Sequence, residues 1–302
     1  MKSAAMIKRK VRRVMRKETY PVIRQEKEPV MIQNKTGDME YLTFPMLEGI
    51  SCVRHLFTTR LGGVSKGIYA SMNVSFTRGD REEDVMENFR RIGRVLQVSP
   101  EAFVCSDQTH TTNIRVVTKE DMGKGLTRER DYSDIDGLIT KERNLVLSTF
   151  YADCVPLYFV DPVRKAIGLS HSGWKGTVGR IGGKTVEKMQ EEFGSKPEEL
   201  LCAIGPSICR DCYEVSKDVA VEMEKCFLGN RKVLEQILFP GENGKYQLDL
   251  WKANRFILEE AGVKNENIQT TDICTCHNPD YLFSHRASMG KRGNLGAFIM
   301  LK

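Results

Sequence analysis

Two histidines and one cysteine stand where apolar segments of the sequence begin or end. His110 lies in the polar stretch SDQTHTTN, Cys154 separates two apolar segments, and His171 ends a third. Two imidazoles and one thiolate suit Zn²⁺, and three protein ligands leave a fourth position for a water whose pKa falls to roughly 7. The spacings of 44 and 17 residues are not diagnostic, because only folding can bring the three side chains together.

The same three residues support other chemistry. Cys154 could be the nucleophile of a cysteine hydrolase or amidase, with His171 or His110 as its base. A polyphenol oxidase of the multicopper type needs more histidines than the five in this chain. A zinc-stabilised interaction module without enzymatic activity is a further alternative, in which the metal holds the fold together.

A second group of metal-binding residue types lies toward the C-terminus. Cys209 and Cys212 form a C-x-x-C pair, and Cys274, Cys276 and His277 follow downstream. Together they could form a closed structural zinc site, although scattered reduced thiols are the more common outcome for such residues. The chain has nine cysteines, an odd number, and its sequence shows no apolar export segment. Both features favour reduced thiols and a cytoplasmic location.

Several residues could handle anions. Arg60 precedes a Gly-Gly loop, and the segment 172–176 leads into a predicted helix, whose N-terminal amides and dipole favour phosphate or carboxylate. Arg286 lies in FSHR, close to the C-terminal glycines. An exposed arginine with no such role is the common alternative for each.

The composition is that of a globular protein, with 40% hydrophobic and 28% charged residues in 302. Ten Lys or Arg and three Glu precede residue 29, so the net charge of +6 is concentrated there and the rest is close to −1. We therefore expect a flexible basic extension over residues 1–38 and one catalytic domain over 39–302. Without a basic face or a long apolar stretch, that domain is expected to bind neither nucleic acid nor membrane.

Hydrophobic periodicity predicts the elements that position these residues. The predicted strands are 39–44, 55–60, 113–117, 144–150, 155–160, 165–171 and 297–301, and the predicted helices are 80–98, 177–193 and 249–261. Asp80 with Glu83 and Asp249 are expected to cap helices, and Gly194 to end one. Because the elements do not alternate as βαβ units, the pattern indicates a mixed α+β fold, and no dinucleotide or P-loop motif occurs.

Several segments, taken in order, resemble the YfiH or laccase-domain family over residues 40–302. They are HLFTTRLGGVS, SDQTH, ADCVPLYFVD, HSGWKGT, IGPSICRDCYEV and CTCHNPDYLFSHR. The resemblance implies a zinc ion on His110, Cys154 and His171, and mixed sheets in a layered α/β/β/α arrangement. It also implies a purine nucleoside phosphorylase acting on adenosine, inosine and methylthioadenosine, with adenosine deaminase activity.

The reaction that the resemblance implies would give roles to neighbouring residues. The expected catalytic residues are Arg60, Gln108 and Asp153, and the expected substrate-binding residues are Ser172, Trp174, Lys175 and Arg286. Arg60 and the 172–176 loop would hold phosphate, while Gln108, Asp153 or Arg286 would orient base or ribose. The sequence departs from the family pattern at His285, where tyrosine is common, and in the following GKRGN. Purine nucleosides and phosphate are the expected partners of a monomer or homodimer.

Overall fold

The computed structural model describes residues 19–302, and residues 1–18 lie outside the described part. Its centre is a pair of six-stranded sheets. The first sheet has the spatial order β1 (Ile32–Thr36), β2 (Met39–Thr43), β3 (Val53–Thr58), β15 (Leu295–Leu301), β7 (Val146–Tyr151) and β4 (Phe103–Cys105). The second has the order β14 (Ile268–Thr270), β10 (Leu201–Ile204), β8 (Val155–Asp161), β9 (Ala166–Ser172), β6 (Gly137–Thr140) and β5 (Ile114–Val116).

The described residues also form a small third sheet and seven α-helices. The third sheet, which the sequence did not predict, has the order β11 (Glu214–Val215), β13 (Tyr246–Leu248) and β12 (Leu238–Pro240). The helices are α1 (Pro45–Glu48), α2 (Glu82–Leu96), α3 (Trp174–Val178), α4 (Ile181–Phe193), α5 (Lys217–Cys226), α6 (Arg231–Ile237) and α7 (Leu250–Glu260). No helix in residues 19–302 has both the length and the apolar character needed to cross a bilayer.

Three hydrophobic clusters define the layers. One lies between the two large sheets, and its members include Leu147 of β7 and Leu169 of β9. A second joins β8 and β10 to α4 and α7. The third packs α2 on the outer face of the first sheet, where Phe89 meets Phe103 and Phe298 edge to face. This order confirms the predicted α/β/β/α arrangement.

Local chemistry explains where the helices begin and end. Asp249 caps α7 by accepting from the Lys252 N–H at 3.0 Å, and Gly194 ends α4 with φ +67°, both as predicted. The cap predicted at Asp80 is wrong, because its carboxylate instead accepts from the Asn73 amide and from the Arg81 N–H. The helix predicted over 177–193 is two helices, since Arg180 adopts a left-handed φ of +60° between α3 and α4.

The N-terminal segment belongs to the first sheet. Strand β1 pairs antiparallel with β2, with Thr36 opposite Met39. Further upstream, Arg24 forms an ion pair of 2.5 Å with the fully buried carboxylate of Asp272. The described fold therefore includes residues on the N-terminal side of 39, where the sequence placed the boundary, because β1 pairs with β2 and Arg24 pairs with Asp272.

Candidate metal centre

The antiparallel pair β8–β9 brings Cys154 beside His171. In this ladder Pro156 lies opposite His171 and Val155 opposite Ser172, so Cys154, one residue before β8, stands at the same end of the pair. Asp153 precedes it with φ +84°, which turns the chain sharply between β7 and β8. The two residues that are 17 positions apart in sequence thus become neighbours through one hairpin.

A loop between β4 and β5 brings His110 to the same place. The carboxylate of Asp136 accepts the backbone N–H groups of Thr109, His110 and Thr111 at 3.2, 3.2 and 2.8 Å. His110 itself has φ +67°, a conformation that this set of hydrogen bonds supports. The Asp136 carboxylate therefore fixes the backbone of this loop, and the loop places the His110 side chain beside Cys154.

Asp136 also orients His171. Its Oδ1 lies 2.7 Å from His171 Nδ1, which leaves Nε2 of the ring as the available donor atom. Burial raises the pKa of the Asp136 carboxyl, but the hydrogen bond and charge of His171 outweigh burial and lower it overall. Sequence analysis missed Asp136, whose only local indication is its position in DIDGL just before an apolar strand.

The three donor atoms fit a tetrahedral metal with one open position. One donor atom each of His110, Cys154 and His171 lies within 4.8 Å of the other two, and the His110 Nε2 to Cys154 Sγ distance is 3.9 Å. Zinc–sulfur and zinc–nitrogen bonds of about 2.3 and 2.0 Å at a tetrahedral angle place the two ligands about 3.5 Å apart. The residues are therefore close to the required spacing, and within residues 19–302 no fourth His, Cys, Asp or Glu joins the group.

Charge in the metal-free group favours the Cys154 thiolate together with the His171 imidazolium, which must lose its proton when it binds a metal. Burial raises the pKa of the Cys154 thiol, but the adjoining imidazoles outweigh it and lower the pKa to about 6. Burial lowers the pKa of His171, and the Cys154 thiolate and Asp136 together raise it to about 9. The thiolate form that binds metal is thus stabilised at neutral pH.

A large cavity of about 1320 Å³ opens on the three donor residues and contains a buried arginine. Arg292 is 8% exposed, and its Nε has no hydrogen-bond partner. No carboxylate within residues 19–302 forms an ion pair with it, and its guanidinium contacts Asn294 and His285. Burial and the nearby charge of Arg78 lower its pKa to about 10. A buried guanidinium that has no direct ion-pair partner and lies beside a second arginine is suited to an anion, even with the charges of Asp153 and Cys154 nearby.

A smaller cavity of about 290 Å³ lies on another side of His110 and Cys154. Its wall includes the side chains of Trp174, Tyr213 and Leu250. An aromatic and apolar wall of this kind accommodates a flat ring. The metal centre therefore adjoins one basic cavity and one apolar cavity.

Two of the residues expected to be catalytic, Arg60 and Gln108, form hydrogen bonds to backbone groups, and their catalytic role stays a prediction. Arg60 donates to the carbonyls of Ala70 and Pro279, and its guanidinium does not line either cavity described above. Gln108 lines the large cavity, but its amide donates to the Phe150 carbonyl and accepts from the Phe150 N–H. These contacts position the surrounding segments.

Asp153 likewise has a full set of partners. Its carboxylate accepts from Thr275 Oγ1 at 2.6 Å and from the Arg286 N–H at 2.7 Å. The side chain of Arg286 donates to the carbonyls of Cys212 and Glu214. Asp153 and Arg286 therefore hold together the loops that surround Cys154.

The 172–176 segment divides between core and cavity. Ser172 is fully buried and donates to Asn254 Oδ1 at 2.8 Å, so its hydroxyl is engaged in the interior. Trp174 and Lys175 line the small cavity. The helix that begins within this segment, α3, has only five residues, so its N-terminus attracts an anion weakly. The buried guanidinium of Arg292 is better suited to hold an anion.

Comparison with known proteins identifies the family of this chain. The family model described as multi-copper polyphenol oxidoreductase laccase matches residues 54–302, and the chain belongs to that family. The chain is 37% identical over 250 residues to the purine nucleoside phosphorylase YlmD of Bacillus subtilis, covering 82% of this chain and 87% of the relative. A purine nucleoside phosphorylase of Bacteroides thetaiotaomicron is 33% identical over 267 residues, which cover 88% of this chain and 98% of the relative.

Solved structures show the same fold. The hypothetical protein YfiH of Bacillus licheniformis superposes with a TM-score of 0.83 at 34% identity, covering 88% of this chain and 97% of that chain. YlmD of Geobacillus stearothermophilus gives a TM-score of 0.78, also at 34% identity, over 91% and 100% of the two chains. The likeness extends over nearly the whole of each molecule.

Proposed function

We propose that this protein is a zinc-dependent purine nucleoside phosphorylase acting on adenosine, inosine and methylthioadenosine, and that the same centre deaminates adenosine. The observation that carries the phosphorylase proposal is Arg292, a buried guanidinium without a carboxylate partner, in the cavity that also contains His110, Cys154 and His171. The names of the relatives support the same reaction. A cytoplasmic location and a monomeric or homodimeric state remain predictions.

The two cavities suggest how the substrates are held. Phosphate would lie against Arg292 and Arg78, where charge-assisted hydrogen bonds hold its oxygens. The purine would lie in the small cavity against Trp174 and Tyr213, so that the ribose crosses the metal centre between them. A phosphate oxygen then bonds to C1′ while the bond from C1′ to the purine nitrogen breaks. Ribose 1-phosphate forms, and the base leaves with the electron pair and takes a proton from solvent. Positioning is the main contribution of these residues.

Zn²⁺ fits His110, Cys154 and His171 and would supply Lewis acidity at its open position. The chain's own residues prepare two of the ligands for a metal. Asp136 fixes the ring of His171, and the lowered pKa of Cys154 favours its thiolate form at neutral pH. An open position beside a purine also supports the proposed deamination, whose product is inosine.

Product analysis tests the proposed reactions. The purified, zinc-loaded protein is incubated with inosine or adenosine, with and without phosphate, and the products are separated by chromatography. Phosphate-dependent release of hypoxanthine from inosine supports phosphorolysis, and inosine from adenosine supports deamination. Absence of both products from the zinc-loaded protein contradicts the proposal.

Kinetic variants test the placement of the substrates. Arg292→Gln should raise the KM for phosphate by roughly 10-fold or more, since a hydrogen bond to a charged group contributes about 1.5–3 kcal/mol. Trp174→Ala should raise the KM for the nucleoside and leave that for phosphate unchanged. Arg164→Gln, at an ion pair with Glu199 at the far end of β8, is the matched control. Equal KM values in Arg292→Gln and the control contradict the phosphate site.

A second candidate function is hydrolysis by Cys154. The order Cys154, His171, Asp136, with a lowered thiol pKa and an oriented imidazole, matches the arrangement of a cysteine nucleophile and its base. Removal of metal by a chelator separates the two functions. Activity that survives chelation but is lost on alkylation of Cys154 supports the hydrolase; activity restored by adding zinc supports the phosphorylase.

A polyphenol oxidase is less compatible with the positions of the histidines. Among residues 19–302, His110 and His171 are the only histidines in the group, while His55 is buried and accepts from the Phe44 N–H through Nε2. A multicopper cluster needs a larger set of imidazoles close together.

A further inference from the structure

We propose that Cys209, Cys212, Cys274 and His277 bind a second zinc ion, which has a structural role. One donor atom from each of these four residues lies within 4.8 Å of the other three. The sequence left open whether these residues form a site or stay scattered thiols, and folding brings four of them together. The site is separate from the centre formed by His110, Cys154 and His171.

The geometry of the group suits tetrahedral zinc. Cys209 Sγ lies 3.7 Å from His277 Nδ1, and zinc bonds of about 2.3 and 2.0 Å to sulfur and nitrogen place such a pair about 3.5 Å apart. Cys209 and Cys274 are 4% and 0% exposed, so two of the ligands are already removed from water. Four protein ligands leave no position for substrate, which is typical of a structural rather than a catalytic zinc site.

Each half of the site comes from a short turn. Cys209 and Cys212 flank a single 3₁₀ turn after β10, and Cys274 and His277, also three residues apart, follow β14. A parallel bridge between Ser207 and Cys274 holds the two segments side by side. Pairs of ligands three residues apart on two adjacent turns are a common construction of structural zinc sites.

The local hydrogen bonds are compatible with an ion. The Cys209 N–H donates to Cys274 Sγ at 3.3 Å, a contact that stabilises a thiolate ligand. Gln25 Nε2 lies 3.0 Å from His277 Nδ1, so binding exchanges this hydrogen bond for the ion. Cys276 is not one of the four grouped residues, and its thiol contacts that of Cys212 at the edge of the group.

The second ion would brace the first centre. The Ile208 N–H donates to the Asp153 carbonyl at 3.0 Å, and Thr275 Oγ1 donates to the Asp153 carboxylate at 2.6 Å. Ile208 and Thr275 are direct neighbours of Cys209 and Cys274 in the chain, and Asp153 directly precedes Cys154. An ion that fixes both turns therefore fixes the two anchors of the Cys154 loop.

Metal content measured on the whole chain tests this inference without any assay of nucleosides. Protein purified under reducing conditions with zinc should carry two zinc ions per chain, determined by elemental analysis. Cys209→Ser with Cys212→Ser should carry one, and His277→Ala provides a milder variant if the double variant fails to fold. Cys52→Ser, a half-buried cysteine outside both groups, should keep two. His110→Ala should lose the other ion and keep this one.

Cobalt substitution gives a second readout, because the absorption of thiolate-to-cobalt charge transfer reports how many thiolates bind. The wild-type protein should show the intensity expected of four thiolates, three here and one at Cys154, and His277→Ala should lose most of it. A single ion in the wild type that is lost in His110→Ala, or two ions in the double variant, overturns the proposal, whereas a single ion that His110→Ala retains counts against the other centre only. So does an intact mass lower by two hydrogens in reduced preparations, which would show a disulfide between these cysteines.

Discussion

At the scale of single residues, Gly173 packs closely against two of the proposed metal ligands. A Cβ at this position would lie 3.0 Å from His110 Cδ2 and 3.1 Å from Cys154 Sγ. Its φ of −73° is ordinary, so space rather than backbone conformation requires glycine here. The side chain of even an alanine would push the imidazole and the thiolate apart.

Gly173→Ala should therefore weaken metal binding at His110, Cys154 and His171. We expect a loss of roughly 10- to 100-fold in zinc affinity, comparable to the loss of an outer contact of a ligand. Competition with a chromophoric chelator measures this affinity. Gly49→Ala is the matched control, because a Cβ there meets only the carbonyls of Met46 and Pro45 at 3.5 and 3.8 Å. Equal affinities in the two variants would show that the site tolerates the methyl group.

The Cys154 thiol should be unusually reactive in the metal-free protein. Its pKa is lowered to about 6 and that of His171 is raised to about 9, so thiolate and imidazolium coexist between these values. Alkylation by iodoacetamide should reach half its maximal rate near pH 6 and stay fast as the pH rises, and zinc should protect the thiol. Peptide mass mapping across a pH series measures the rate.

The control is His171→Gln, which removes the imidazolium and should move the midpoint upward toward the ordinary thiol value of about 8.5. A wild-type midpoint near that value, unchanged in His171→Gln, would mean that the two groups do not interact.

At the scale of elements, the loops around Cys154 are joined across long stretches of chain. Thr275 follows β14, while Asp153 lies between β7 and β8, and their side chains meet in the interior. Thr275→Val keeps the shape and removes the donor, which leaves a buried carboxylate oxygen without this partner. We expect a loss of about 1–3 kcal/mol in the free energy of unfolding, together with weaker zinc binding.

Chemical denaturation and chelator competition measure the two effects of Thr275→Val. Thr185→Val is a matched control: its hydroxyl is also buried but contacts Ser170 and the Ile181 carbonyl in α4. It should lose stability without losing zinc affinity. A Thr275→Val variant that binds zinc as tightly as Thr185→Val would show that the anchor of Asp153 does not act on the centre.

Sequence analysis predicted those elements and ligands that carry their own local pattern. Cys154 and His171 stand at ends of recognisable strands, which a hairpin brings together, and Asp249 and Gly194 mark helix ends by their own chemistry. Asp136 was missed because its role depends on a partner 35 residues further along the chain. Arg292 appeared only as part of the unusual GKRGN segment, since its burial is a property of the folded cavity.

Two residues that the sequence assigned to substrate form hydrogen bonds to the protein backbone in the structure. Arg60 and Gln108 are bonded to backbone groups of segments distant in sequence, and no local pattern could indicate those contacts. The break between α3 and α4 was missed because the apolar periodicity continues across it. Side-chain roles therefore required the tertiary contacts, whereas the mixed α+β class followed from the order of elements and the layers from the family resemblance.

At the scale of the whole molecule, the segment 19–38 contacts residues in the C-terminal third of the chain. The N–H groups of Val30 and Met31 donate to the Asp272 carboxylate, which also pairs with Arg24. Asp272 is fully buried, so these are the contacts that compensate its charge. Removing an ion partner from a buried charge costs about 3–5 kcal/mol.

A chain that starts at residue 39 should therefore be far less stable than one that starts at residue 19. We expect the free energy of unfolding to fall by at least about 3 kcal/mol, since β2 also loses its neighbour β1 at the edge of the sheet. Urea denaturation followed by circular dichroism compares the two chains, and Arg24→Met in the longer chain isolates the ion pair. If the shorter chain unfolds at the same urea concentration, the segment contributes no stability and the boundary at residue 39 is the correct one.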